Sequence, residues 1–158
     1  MAGGKIPDNI EELAEKTYRA IGYFIFQFSQ TEYSIRQLLG REIKLDDRFI
    51  PAILQSYDVG ALCNVSKEIF KMTRPAEEAE EMASLINRFY KLNGERQRVA
   101  HGVWIPYFRG GMVQHVSRNS LKTVTHEDQA EVLEKWAKEA NEIRAGLMGK
   151  FPVPPPPY

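Results

Sequence analysis

One cysteine, Cys63, is the whole thiol content of this 158-residue chain. A lone cysteine excludes an internal disulfide and fits a reducing compartment. Histidine is nearly as scarce. His101, His115 and His126 stand apart, with no cysteine partners and no short ligand spacing, so no zinc or other metal site is expected. The one glycine pair, Gly110-Gly111, is not followed by the Lys-Ser/Thr of a phosphate-binding loop, and no cofactor motif is present. Long apolar runs are missing too. The best candidate, Ile21 to Phe26, is ended by Gln27, far short of a membrane span. The first residues lack the charged start and apolar middle of a secretory signal, and the expectation is a cytoplasmic protein without a membrane partner. Net charge is also absent. Twenty-one basic residues balance 21 acidic ones, which argues against a general nucleic-acid coat.

What is present is uneven charge and helical periodicity. From Met82 to Arg118 the bases Arg88, Lys91, Arg96, Arg98, Arg109 and Arg118 face the single acid Glu95. Acids gather elsewhere, at Asp8, Glu11, Glu12 and Glu15 and at Glu77, Glu78, Glu80 and Glu81. Either a local basic surface or merely a solvated, uneven one follows from this.

Asp8 with Glu11 reads as a helix cap. Ile10, Leu13, Thr17, Ile21, Phe24, Phe28, Ile35 and Leu38 then recur at helical spacing, which predicts one long helix closing near Gly40. Leu45 to Gln55 reads as a short connection interrupted by Pro51. Asp58 caps a second helix with Val59, Leu62, Cys63, Ile69 and Met72 inward. Pro75 opens a third, carrying Ala79, Met82, Ile86, Phe89 and Tyr90 and stopping at Asn93-Gly94. A short helix then ends at Gly102, and a β-hairpin turning at Gly110-Gly111 spans about 103–118. Thr125 with Asp128 caps a last helix with Val132, Leu133, Trp136, Ala140, Ile143 and Leu147 inward. The expected architecture is an all-α bundle, residues 8–149, with a hairpin inserted before the last helix. A flexible start (1–7) and an extended proline-rich tail (150–158) flank it. The tail contains Pro-Pro-x-Tyr, formally a ligand pattern for small aromatic-grooved domains.

The chemistry concentrates in GERQRVAHGVW, residues 94–104. Histidine as a residue type can take or give a proton in the working pH range, which makes His101 a candidate for moving one. Arg96 stays charged and presents donors matched to phosphate oxygens. Together they can cleave a phosphodiester without a metal, His101 activating the ribose hydroxyl or protonating the leaving oxygen while Arg96 stabilises charge on phosphorus-bound oxygens. Residues five apart in a regular helix point about 140° apart, so the pair converges only if Arg96 begins a helix. Arg98 shares the face of His101 and rivals Arg96. The plainer reading is a histidine favourable at a helix C-terminus before a glycine stop. Glu32, on the apolar stripe of the first helix, needs a partner. Arg36 can supply it, or Glu32 can reach the Arg96/His101 site. Trp104, Tyr107 and Phe108 can stack on bases or pack on helices. Arg88, Lys91, Arg109 and Trp104 are the candidate RNA contacts.

The phrase RQRVAH followed by GVW resembles the signature of the HEPN superfamily, an arginine, a polar residue, about three further positions and a histidine, with Gln97 where Asn, Asp or His is more usual. IGYFIFQFSQTE in the first helix is similar to the opening helix of many bacterial and phage-type members. The resemblance covers most of residues 8–148. It implies a HEPN helical bundle and a homodimer whose two motifs face each other. It further implies a metal-independent endoribonuclease of a toxin–antitoxin or anti-phage system, with RNA as substrate and an antitoxin protein as partner. Carried over, Arg96 and His101 become the catalytic pair, acting across the dimer, with Gln97 as polar helper; the reading of the residues themselves adds Arg98 and Glu32 in support. Some members with the motif act only as binding or scaffold modules, and a non-catalytic helical interaction module is the second reading.

Overall fold

The computed structural model describes residues 9–116, 122–127 and 129–150. Its first helix, α1 (Ile10–Glu42), follows Asn9, with Glu11 and Glu12 favourably placed in the first turn. The expected cap Asp8 lies outside the described residues. Thr17, Ala20, Phe24, Phe28, Thr31, Ile35 and Leu38 form its buried stripe, and Gly22 does not interrupt it. Lys44, at φ 59°, turns the chain, and the short α2 (Ile50–Leu54) accommodates Pro51 in its first turn. Helix α3 (Val59–Thr73) is capped by Asp58, whose Oδ1 accepts from the Ala61 N–H at 2.7 Å. Val59, Leu62, Cys63 and Phe70 are buried. Met72 is not. It is 81% exposed, because two residues beyond Phe70 is about 200° around the helix.

Helix α4 (Ala76–His101) runs without a break through Asn93-Gly94, which overturns the expected stop there. Leu92, Asn93 and Val99 are buried on both sides of Gly94, and this packing outweighs a glycine penalty of about 1 kcal/mol. Tyr90, expected inward, is half exposed and lies beside Gly60 of α3.

The chain then forms three strands, β1 (Val103–Ile105), β2 (Met112–Val116) and β3 (Thr123–His126), in an antiparallel sheet of order β1-β2-β3. The first two are the expected hairpin. The third replaces the expected cap, since Thr125 pairs with Gln114 in the sheet, while Asp128 lies outside the described residues. The hairpin turn caps the last helix α5 (Gln129–Lys150) instead. Gly110 and Gly111 take positive φ (67° and 87°), and their carbonyls accept from the N–H groups of Ala130 and Gln129 at 3.0 Å. The Thr17 hydroxyl ties the same turn to α1, donating to the Pro106 carbonyl at 2.7 Å.

α1 and α5 run side by side in the same direction. Phe24 meets Trp136, and the buried Thr31 hydroxyl donates to the Ala140 carbonyl at 2.9 Å. α4 runs against them, its Arg98 over Trp136 and its Arg88 on Glu139. One hydrophobic core joins all four long helices, with Trp104 of the sheet packed on it. No helix among the described residues is long and apolar enough to cross a membrane. The flexible start and the extended proline tail expected from the sequence lie outside the described residues.

Candidate functional site

His101 is the last residue of α4 and exposed. Gly94 and Gln97 share its face at helical spacing and are exposed as well. The reason is local. α3 begins at Val59, and its Gly60 already lies against Tyr90, so α3 ends before the last turns of α4. Among the described residues, His101 makes no hydrogen bond or ion pair. Its ring is free at the negative end of a helix dipole.

Arg96 goes the other way. With α4 continuous, the two side chains diverge by about 140°. The Arg96 guanidinium lies 5.6 Å over the Phe28 ring, and its Nη2 donates to Asn93 Oδ1 at 3.0 Å. Its buried Nε has no partner. Within one chain, therefore, Arg96 and His101 are not brought together.

Arg98 occupies a third direction. It pairs with Glu95, stands 5.1 Å over the Trp136 ring, and reaches His126 Nε2 from Nη1 at 3.4 Å. A guanidinium has only donors, so this contact is a hydrogen bond in the tautomer whose Nε2 carries no proton. Burial lowers the His126 pKa below its usual 6.5, and the Arg98 charge lowers it further. His115, two residues along the same sheet face, adds to this, and Glu95 opposes it.

Glu32 is held by Arg36, four residues on. That guanidinium also donates to the Leu54 and Tyr57 carbonyls, the latter at 2.9 Å, so the cluster ties α2 and the following turn to α1. Among the described residues no hydrogen bond or ion pair links Glu32 to Arg96 or His101.

The basic stretch is largely matched by acids from elsewhere. Arg88 meets Glu139 at 3.3 Å and Glu142 at 3.7 Å on α5, and Arg109 meets Glu127 beyond β3 while lying 5.2 Å over Phe108. Lys91 is exposed. Trp104 is partly buried, its indole N–H donating to the Val99 carbonyl at 3.0 Å, so it closes the end of α4 against the core. Arg118 lies outside the described residues.

Sequence reasoning missed His126 as a neighbour of Arg98. The signal was there in part, as the run of β-branched residues Thr123-Val124-Thr125, but pairing that segment with β2 requires the register. The carboxylates of α5 that meet Arg88 carry no local signal. Among the described residues no three His, Cys, Asp or Glu side chains converge as a metal site. Comparison with protein-family models, with curated proteins and with solved structures finds no match to this chain.

Proposed function

We propose that the chain is a HEPN-type, metal-independent endoribonuclease, a toxin or defence protein working as a homodimer on RNA. The observation that carries the proposal is the free, exposed His101 ring on the uncovered last turns of α4, in line with Gly94 and Gln97. In this reading His101 takes the proton of a ribose 2′-hydroxyl, the 2′-oxygen attacks phosphorus to give a cyclic phosphate, and the P–O5′ bond breaks as the 5′-oxygen takes a proton from water. Arg96 stabilises the charge on the phosphoryl oxygens. Because the two side chains diverge within the chain, a second copy supplies Arg96 to His101 across paired α4 ends. That swing gives up the hydrogen bond to Asn93 and the stacking over Phe28, while the unpaired Nε gains a phosphate oxygen. Gln97 beside His101 offers an amide to the same phosphate.

The test is expression of wild type beside His101→Ala and Arg96→Ala in one host, following growth and total RNA in chelator-treated lysate. Wild type is expected to arrest growth and fragment RNA. His101→Ala is expected to lose cleavage by at least 100-fold, while its unfolding midpoint stays close to that of wild type because the exposed side chain makes no hydrogen bond or ion pair among the described residues. Cleavage by that variant at the wild-type rate ends the proposal.

A second reading, a non-catalytic helical module that binds RNA or protein, is favoured by one observation. Arg88, Arg98 and Arg109 are each already paired with carboxylates of this chain. Three indistinguishable growth curves with intact RNA would select it.

A further inference from the structure

One meeting of charged and titratable side chains plays no part in the proposed cleavage. It lies where the end of α4 faces the sheet. Arg98 Nη1 stands 3.4 Å from His126 Nε2 on β3. His115 of β2 is the diagonal neighbour of His126 on the same sheet face, since His126 pairs with Val113, two residues earlier. Diagonal neighbours sit about 7–8 Å apart, close enough for two imidazoles to hold one small ion between them. The Arg98 guanidinium is steadied from below by the Trp136 ring of α5. Its side chain is 19% exposed, that of Glu95 is 32% exposed, and both histidines are half-buried. The cluster therefore opens to solvent.

Its balance of charge sets this cluster apart. Arg88 meets two carboxylates, Glu139 and Glu142, and Arg74 likewise meets Glu42 and Glu78. Here, among the described residues, Glu95 alone serves a guanidinium and two imidazoles. Glu127, the next residue after His126, is engaged by Arg109, and Trp136 brings no charge. Donors are in surplus too, because the buried Nε of Arg98 has no partner. For the chain alone, a guanidinium set against an imidazole yields one long hydrogen bond and works against protonation of the ring. An oxyanion beside them turns the same groups into complementary donors. We propose that Arg98, His115 and His126 form an anion site for a phosphate group, held between the two imidazoles with the guanidinium behind. Glu95 already offsets Arg98, so the charge that meets the ligand comes from the rings, which take up protons as it binds. By linkage, the anion is held more tightly as the pH falls through the histidine range. The phosphate comes from one of two sources, a nucleic-acid backbone or the terminal phosphate of a nucleotide. The site uses neither Arg96 nor His101, and it does not rest on the nuclease reading.

The first probe is inorganic sulfate, whose charge is constant over the range in which histidine titrates. It is added to the full chain at pH 6 while the histidine ring signals are followed by NMR, against sodium chloride of equal ionic strength. The signals of His115 and His126 are expected to move together on one saturable curve that the His101 signal does not share. At pH 8 at least about tenfold more sulfate is expected to be needed. In His126→Gln, its fold checked by circular dichroism, the movement at His115 is expected to be lost. No movement beyond that in chloride, all three signals on one curve, equal affinity at both pH values, or an unchanged His115 response in the variant would each overturn the proposal. The source is read with a short DNA strand lacking terminal phosphates, which has no 2′-hydroxyl to attack, and with adenosine monophosphate. Whichever moves the two signals at the lower concentration names it. If neither does, sulfate was an adventitious ion only and the proposal falls.

Discussion

Arg36 shows how one side chain decides the use of another. Its guanidinium is buried, yet it satisfies Glu32 and two carbonyls of the chain leaving α2. Replacing it by leucine strands a half-buried carboxylate and two acceptors, and the cost is expected to be about 2–4 kcal/mol in urea unfolding. A loss under 1 kcal/mol would mean that Glu32 has another partner. The sequence showed that Glu32 needs a cation, but could not choose between Arg36 and the distant motif. Only the position of α2 settles which guanidinium is anchored beside it. Cys63 gives a second residue-scale test. Burial pushes its thiol up to about 11, Lys67 pulls it down slightly, and Glu32 raises it further. An alkylating agent at pH 8 is therefore expected to leave Cys63 intact in the native protein and to modify it only after denaturation. Fast modification without denaturant would show that α3 opens locally.

At the scale of elements, the helices were legible and their junctions were not. The stripes of α1 and α5 follow from spacing alone, because each buries a continuous run of apolar side chains. The Asn93-Gly94 pair carries a stop signal that tertiary packing overrides. β3 was only partly legible, because its β-branched but exposed residues gain their reason from pairing with β2. The join between α4 and the sheet depends on Gly102. A Cβ there would sit 2.3 Å from Val113 Cγ2 and 2.7 Å from the Arg98 carbonyl, the latter a backbone atom that cannot move aside. Gly102→Ala is accordingly expected to cost about 1–3 kcal/mol. It should also weaken the β1–β2 pairing selectively, seen as faster amide exchange at Val113 and Gln114. Equal exchange throughout the sheet would place the strain elsewhere. This reading bears on function too, since the residue displaced first is the neighbour of His101.

For the molecule as a whole, the sheet is docked on the helices through a histidine whose pKa burial lowers. His126 of β3 faces Arg98 and Glu95 of α4, with His115 of β2 alongside, and Arg98 in turn lies on Trp136 of α5. Four elements thus meet at one neutral imidazole. Its folded pKa lies below that of the unfolded chain, so the unfolded state binds the proton more readily. Stability from this group is complete above about pH 7 and is lost as the pH falls through 6.5 towards the lower folded value. Protonation would turn the acceptor of Arg98 into a like charge, which Glu95 offsets only in part. Glu42 responds in a different range. Burial raises its pKa, but the hydrogen bonds from Arg74, at 2.6 to 3.1 Å, and from Thr73 outweigh this and hold it below 4.5, so its contribution fades only in stronger acid. The urea midpoint of wild type is therefore expected to fall between pH 7 and pH 5. In His126→Gln, which keeps an acceptor that cannot take up a proton in this range, the fall should flatten. An undiminished fall in that variant would assign the titration to another group and remove the Arg98–His126 contact from the account of how the sheet is held.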